Sequence, residues 1–328
     1  MLNKQIRLAR DISGFPRESD FYLVEEGLPE LMDGQALCRA KYLSLDPYMR
    51  SQIAGKHLQG AVAVDDVMRG ETISEVVASK EPALPVGSLV RCMGDWQTYS
   101  IQQAQSVQPV PAGVPAHFAL NVLGMPGLTA YAALIWLARI QPGELVVIPG
   151  AAGAIGSIAG QLAKKRGCTV IGIAGCNMKC DLAVSQLGYD ACINRRQENV
   201  ASRLSELAPN GVDVYFDLVG GDMLHTISQQ LALHARIVLC GLSSELHLPH
   251  RSPGPPSALW IKARATVMGL VVYDFETRRQ EFIEQCLPAI RAGDFYLPVD
   301  LSYGLEQAPA AFCRMLAGNT IGKTLIKV

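Results

Sequence analysis

Between Val147 and Gly167 the chain reads VIPGAAGAIGSIAGQLAKKRG, and this stretch restricts the fold more than any other. The apolar run LVVIPG leads into three glycines at a spacing of three, Gly150, Gly153 and Gly156, and a helical pattern covers Ala154 to Arg166. A crowded strand-to-helix turn would by itself ask for small residues. Here the turn also follows a buried-type strand and opens a helix within a unit of about thirty residues, which is where a dinucleotide pyrophosphate meets backbone N–H groups and a helix N-terminus. The following sequence repeats the alternation. A strand TVIGIAG is followed by a helix over Lys179 to Leu187, a short strand ACIN and a helix near Glu198 to Leu207. Next come the strand VDVYFDLVGG, a helix over Asp222 to Leu233 and the strand RIVLCGL. After the Pro-rich loop LPHRSPGPPSALW, a last strand ATVMGLVVY precedes a helix near Phe282 to Arg291. Such alternation predicts a parallel sheet of βαβ units.

The first part of the chain has another texture. Up to about Ala119, short apolar segments such as QALCRAKYLSL, ISEVVAS and GSLVRCM are broken by Gly, Pro and Asp, which predicts an irregular antiparallel, mostly β lobe. The boundary falls near Asn121, and the tail from about residue 300 carries a helix and a short strand that can return to the first lobe. With 328 residues, 49% hydrophobic and 18% charged, the chain is long enough for two packed domains.

Several partner classes are disfavoured. The formal net charge is −1 and no basic stripe with interleaved aromatics occurs, so no electrostatic footprint for nucleic acid is expected. The N-terminus lacks a signal-peptide core, and the longest apolar stretch, Leu128 to Ala138, is too short to span a bilayer. A cytoplasmic protein with no membrane partner is expected. Its nine scattered cysteines fit free thiols in a reducing compartment. Cys176 and Cys180 are separated by three residues, but no second pair follows, so they read as small core residues.

The end of the second predicted strand bears on the choice of dinucleotide. NAD sites place an acid there, about twenty residues beyond the glycines, to hold the adenosine ribose hydroxyls. Here the strand end reads IAGCNMK, with no carboxylate before Asp181, whereas Lys179 follows it and Arg195 follows the third strand. Cations without an acid suit the 2′-phosphate of NADPH.

With these features in place, further strings carry a family likeness: LSLDPYMR at Leu43 to Arg50, NVLGMPGLTAY at Asn121 to Tyr131, GCTVIGIAG, VDVYFDLVGG, RIVLCG and GNTIGKTLIKV. In that order the chain resembles the zinc-independent branch of the medium-chain dehydrogenase/reductase superfamily that holds the prostaglandin reductases and double-bond reductases. The resemblance implies an α/β fold, a Rossmann-type doubly wound parallel sheet over residues 121–300. A mostly β GroES-like substrate lobe would cover residues 1–120, joined by about 300–328. The zinc-dependent members need a Cys, His and carboxylate set. Where their GHE-type motif would lie this chain reads VMRGETISE, and its six histidines show no ligand spacing. Without a Lewis acid, hydride addition to an activated C=C bond is favoured over reduction of a simple ketone, because the developing charge spreads onto the conjugated carbonyl.

The same resemblance implies roles. Gly153, Ala154, Ile155 and Gly156 would cradle the pyrophosphate; Lys179 would meet the 2′-phosphate beside Gly175, with Arg195 strengthening the grip. Cys240, Gly241, Leu242 and Ser243 would line the adenosine side. Met125, Thr129, Leu270, Val271, Val272 and Asn319 would sit at the nicotinamide, in a cleft between the domains. Tyr48 would point at the substrate and hydrogen-bond its carbonyl, or else pack between domains. Three positions depart from the relatives: Arg195 stands in place of a Tyr, Leu218 of an Asn, and Leu246 of a nearby Tyr. The HLPHRSPGPP loop after Leu246 would form a lid. The implied activity is NADPH-dependent reduction of α,β-unsaturated aldehydes or ketones by a homodimer, a quinone reductase or a non-catalytic NADPH-binding protein being the alternatives. No His or carboxylate stands out in the sequence as the proton source, which leaves Tyr48, a nicotinamide ribose hydroxyl and water as the alternatives.

Overall fold

The computed structural model describes residues 2–248 and 250–328. Pro249, within the stretch read as a lid, lies outside the described residues. The chain packs as two compact units, one of residues up to Asn121 together with Val299–Val328, the other of Val122–Pro298.

In the first unit, β1 (Leu2–Leu8) and β2 (Phe21–Gly27) pair antiparallel, with Leu8 opposite Phe21. There follow β3 (Ala36–Ser44), the short helix α1 (Met49–Ile53), β4 (Glu71–Ser79), β5 (Leu89–Met93), β6 (Tyr99–Gln102) and β7 (Val107–Pro109). The strands are short because turn residues interrupt them, including Asp65 and Asp95 in the left-handed region, which Asp tolerates better than most residues. The core between them holds Phe21, Trp96 and Phe312. Phe21 and Trp96 stack at 5.7 Å, and Phe312 meets Trp96 edge-on at 5.6 Å, an arrangement that suits the ring quadrupoles.

The second unit starts with α2 (Met125–Tyr131), which continues as a π-helical turn over Ala132–Leu137. Then β8 (Leu145–Pro149), α3 (Ala154–Lys165), β9 (Thr169–Ala174), α4 (Asn177–Ser185), β10 (Ala191–Asn194) and α5 (Val200–Leu207) alternate. They are followed by β11 (Val212–Asp217), α6 (Gly221–Ser228), β12 (Leu231–Leu239), α7 (Ser257–Ala263), β13 (Thr266–Gly269) and α8 (Arg279–Arg291). The six strands are parallel in the order β10-β9-β8-β11-β12-β13, so the winding reverses between β8 and β11. Buried Val147, Ile171, Tyr215 and Ile237 lie in the core, which explains why these strands read as continuous apolar runs.

Three elements are shorter than their sequence suggests. The strand expected over VDVYFDLVGG ends at Asp217, whose carboxylate accepts from the Val219 and Gly220 amides and turns the chain. The helix expected through Leu233 stops at Ser228, because Leu231 already pairs with Val212 as a strand residue. The strand expected over ATVMGLVVY stops at Gly269, and Val272–Arg278 winds into a 3₁₀ segment leading to α8.

The tail supplies β14 (Val299–Tyr303), α9 (Ala308–Leu316) and β15 (Lys323–Lys327). β15 lies parallel to β14 and antiparallel to β3, giving a sheet in the order β14-β15-β3-β4-β5-β7. Among the described residues, no helix is long and apolar enough to cross a membrane.

Candidate functional site

Six loops leave the carboxyl ends of the parallel strands, and they carry most of the residues singled out in the sequence. Gly150 to Gly156 follow β8, Gly175 to Lys179 follow β9, and Arg195 follows β10. Leu218 follows β11, Cys240 to Ser243 follow β12, and Leu270 to Val272 follow β13. The end of an open parallel sheet, beside the point where strand order reverses, is where such folds bind ligands.

The glycine turn does two jobs. Gly150 has φ +68°, and its amide donates to the Ile173 carbonyl at 2.9 Å. A Cβ on Gly156 would lie 2.2 Å from the Gly150 carbonyl oxygen, so this glycine is needed for close packing of α3 on the turn. Gly153 is different. Its hypothetical Cβ would meet only the Gly150 oxygen, at 3.1 Å, and as the N-cap of α3 it offers no side-chain hydrogen bond. The first turn of α3 has no acid, so the amides of Ala154, Ile155 and Gly156 sit at the positive end of a helix whose N-cap side chain does not cap it. This arrangement fits a dinucleotide pyrophosphate.

Beyond β9 the charge is basic. Asn194 donates to Asn177 Oδ1 at 2.6 Å, tying the β10 loop to the start of α4. With that tie in place, the Nε atoms of Arg196 and Arg195 lie 3.7 and 4.0 Å from a Cβ built on Gly175. Lys179 is half-buried in α4, and both arginines are exposed. Arg196 was not singled out from the sequence. The run INRR offered the signal, but only the folded chain brings both arginine side chains beside Gly175.

The turn after β11 is built on Asp217. Its Oδ1 accepts from the Tyr215 hydroxyl at 2.9 Å and from the amides of Val219 and Gly220 at 3.0 and 2.9 Å. Its Oδ2 is buried and has no hydrogen-bond partner among the described residues. Burial pushes the Asp217 carboxyl above the ordinary range, against the pull of those three donors. The Asp217 carbonyl accepts from Cys240 and Gly241, and a Cβ on Gly241 would fall 2.8 Å from the Leu218 oxygen, so the β11 and β12 loops meet at backbone contact. Burial also drives the Cys240 thiol up to about 12, which leaves it protonated and inert at neutral pH. Leu270 is buried and its amide continues the β12 pairing to the Leu239 carbonyl at 2.8 Å; Val271 and Val272 are half-buried beyond it.

Met125 opens α2. Thr129 is buried and its hydroxyl donates to the Met125 carbonyl at 2.8 Å, and a Cβ on Gly127 would lie 1.8 Å from the Val122 oxygen. Only glycine fits there. Arg279, buried in α8, donates to the Leu123 carbonyl and holds the entry to α2.

Tyr48 and Asn319 belong to the first unit. Asn319 is exposed after α9, its amide donating to Arg314. Tyr48 precedes α1, half-buried against the aromatic core. Its ring stacks on His57 at 5.1 Å with 30° between planes. Two buried cations hold the LSLDPYMR stretch. Lys323 Nζ pairs with Asp46 Oδ1 at 2.5 Å and donates to the Leu45 carbonyl at 2.9 Å, and Arg50 donates to the carbonyls of Gly14 and Ile12. Among the described residues, no three His, Cys, Asp or Glu side chains form a group able to hold a metal ion.

Comparison with known proteins agrees in both halves of the chain. Residues 4–110 match the family described as N-terminal domain of oxidoreductase, and residues 154–288 the family described as zinc-binding dehydrogenase. Prostaglandin reductase 1 of Bos taurus is 37% identical over 99% of this chain and 98% of its own length. The NADP(+)-dependent 2-alkenal reductase of Nicotiana tabacum is 33% identical over 99% and 97%. The crystal structure of CurA from Vibrio vulnificus in complex with NADPH superposes with a TM-score of 0.94 at 35% identity, covering 99% of each chain. A strand-end ligand edge, a glycine turn and near-complete coverage by these relatives give one answer: the chain belongs to the zinc-independent branch of the medium-chain dehydrogenase/reductase superfamily.

Proposed function

We propose that this protein reduces the activated C=C bond of α,β-unsaturated aldehydes and ketones with NADPH. The observation that carries the reading is the 37% and 33% identity, over nearly the whole chain, to a prostaglandin reductase and to an NADP-dependent alkenal reductase. The uncapped glycine turn and the acid-free basic strand end support the cofactor assignment. When bound, NADPH supplies the hydride. The amides of Gly153 to Gly156 hold the pyrophosphate, and Lys179 and Arg195, assisted by Arg196, hold the 2′-phosphate. The backbone of Cys240 to Ser243 runs along the adenosine, while Met125, Thr129, Leu270 to Val272 and Asn319 border the nicotinamide. The Tyr48 hydroxyl donates to the substrate carbonyl oxygen and stabilises the negative charge that collects there as the β-carbon gains the hydride, and a proton then reaches the α-carbon of the resulting enolate to complete the saturated product. In this reading residues 1–120, joined by about 300–328, form the substrate lobe, and residues 121–300 bind the dinucleotide.

We also propose a cytoplasmic homodimer. The nine free cysteines support a reducing compartment, and β13, paired on one side only by β12, offers an edge to a second copy.

A panel of enones, enals, quinones and simple alcohols tests the function, with NADPH oxidation followed and products identified. Saturated aldehydes and ketones are expected, at rates unchanged by exhaustive chelation. Turnover of quinones alone would assign a quinone reductase, and tight NADPH binding without turnover a non-catalytic role. Tyr48→Phe should lower turnover of enones about 10-fold or more with NADPH affinity unchanged.

A further inference from the structure

A phenol at the start of a short helix, half-exposed, needs something to fix its ring before its hydroxyl can meet a carbonyl reproducibly. Tyr48 has φ −61° and ψ −24°, ordinary helical values, so its backbone adds no special restraint. The restraint comes from the loop after α1. The Lys56 amide returns to the Ser51 carbonyl at 2.9 Å, and Gly60 donates to the His57 carbonyl at 3.1 Å, which folds residues 54–60 into a tight return. Arg69 reaches across to donate to the Gln59 carbonyl at 2.9 Å. Inside that loop, the Gln59 amide donates to His57 Nδ1 at 3.2 Å, so the ring proton of the neutral imidazole sits on Nε2. Burial, with Arg69 beside it, disfavours the charged form of His57. A neutral flat ring with its tautomer set by the backbone therefore lies against the Tyr48 ring, centroids 5.1 Å apart and planes inclined by 30°. Offset stacking of this kind restrains rotation of the phenol about its own axis.

We infer that His57 is a positioning residue for Tyr48, its imidazole serving as the platform that aims the phenol hydroxyl at the substrate carbonyl. The inference rests on the proposed role of Tyr48. His57 itself touches neither substrate nor cofactor in this scheme; it acts through the ring it carries, and Arg69 acts one step further out by closing the loop. The requirement is for a flat ring at position 57 rather than for a titrating group.

The test is a set of five proteins assayed on one enone: wild type, Tyr48→Phe, His57→Ala, His57→Phe and the Tyr48→Phe/His57→Ala double variant. NADPH dissociation constants, read from cofactor fluorescence, accompany kcat and KM. His57→Ala is expected to lower kcat about 10-fold with the NADPH dissociation constant unchanged. His57→Phe, which keeps the platform, should restore kcat to within about twofold of wild type, and the double variant should be no slower than Tyr48→Phe alone. A role in folding alone would show as additive losses in the double variant. Wild-type kcat in His57→Ala alongside an impaired Tyr48→Phe overturns the inference and spares the Tyr48 reading; an unimpaired Tyr48→Phe overturns both. Should His57→Ala lose its cooperative thermal transition, His57→Leu, which fills the volume without a flat ring, carries the same comparison.

Discussion

At the scale of single residues, two neighbouring glycines in one turn carry different duties. A methyl group on Gly156 would press on the Gly150 oxygen at 2.2 Å, whereas one on Gly153 meets that oxygen at 3.1 Å, so only the first substitution collides with the fold itself. A bulky residue at Gly153 should instead weaken NADPH and NADH alike, since it blocks backbone approach to the pyrophosphate they share. The basic residues should separate the two cofactors. Each charge-assisted hydrogen bond to the 2′-phosphate contributes about 1.5–3 kcal/mol, so Lys179→Ala and Arg195→Ala should each weaken NADPH binding about 10- to 150-fold and leave NADH nearly untouched. Titrations with both cofactors decide it, and equal losses would return the residue to a role in the fold. Asp95 carries a pH signature. Burial raises its carboxyl to about 6 despite a hydrogen bond from the Gly70 amide at 3.3 Å. Because the folded pKa lies above the unfolded one, the associated stability is complete below about pH 4 and lost as pH rises through about 6. Asp95→Asn keeps an acceptor for Gly70 and tolerates the φ of +63°. It should gain about 1 kcal/mol over wild type at pH 8 after solvent screening and nothing at pH 4, as read by thermal melts. A gain independent of pH would refute the titration argument.

At the scale of elements, the end of β8 was legible where Gly150 broke an apolar run. The end of β11 at Asp217 was not, because the apolar pair Leu218 and Val219 carries the pattern on to Gly220, and other ends were illegible where apolar residues served two periodicities. Leu231 to Leu233 continue a helical pattern in the sequence, yet Leu231 pairs with Val212 of β11 and the chain runs on as β12, so pairing overrode local propensity. The connection between β15 and the DPYM stretch left a clearer trace in composition than in meaning. Lys323 and Asp46 lie 277 residues apart and both are buried, so their pairing belongs to tertiary structure alone. His57 escaped notice for the same reason, as nothing in GKHLQG announces a ring resting on Tyr48. The ion pair also makes a prediction. Lys323→Met strands a buried carboxylate and should cost about 3–5 kcal/mol, whereas adding Asp46→Asn removes the uncompensated charge and should recover most of it. Denaturant midpoints at unchanged slope measure both variants. A Lys323→Met loss below about 1 kcal/mol would mean that water or another group satisfies Asp46.

At the scale of the whole molecule, the order β10-β9-β8-β11-β12-β13 leaves β13 as one margin of the parallel sheet, and the proposed dimer depends on what that margin can accept. The sequence showed an apolar strand there but not that only Thr266–Gly269 would pair, nor that the chain would turn away at Val272. A four-residue strand exposes few backbone groups, and their direction is fixed by alternation. The Leu270 amide donates toward β12, to Leu239, so the amide of Val267, three residues earlier, faces the open edge. Proline at 267 removes that outward donor without removing a bond to β12, and edge positions are where a strand accepts proline. If two copies join their sheets through β13, Val267→Pro should sediment as a monomer at concentrations where wild type is a dimer, with its cooperative thermal transition retained. The choice of position matters, because proline at Met268 would strike the β12 ladder and unfold the margin along with any interface. A wild-type protein that sediments as a monomer at every concentration would remove the dimer altogether. A Val267→Pro variant that remains dimeric would move the interface to another face and leave β13 a simple sheet margin.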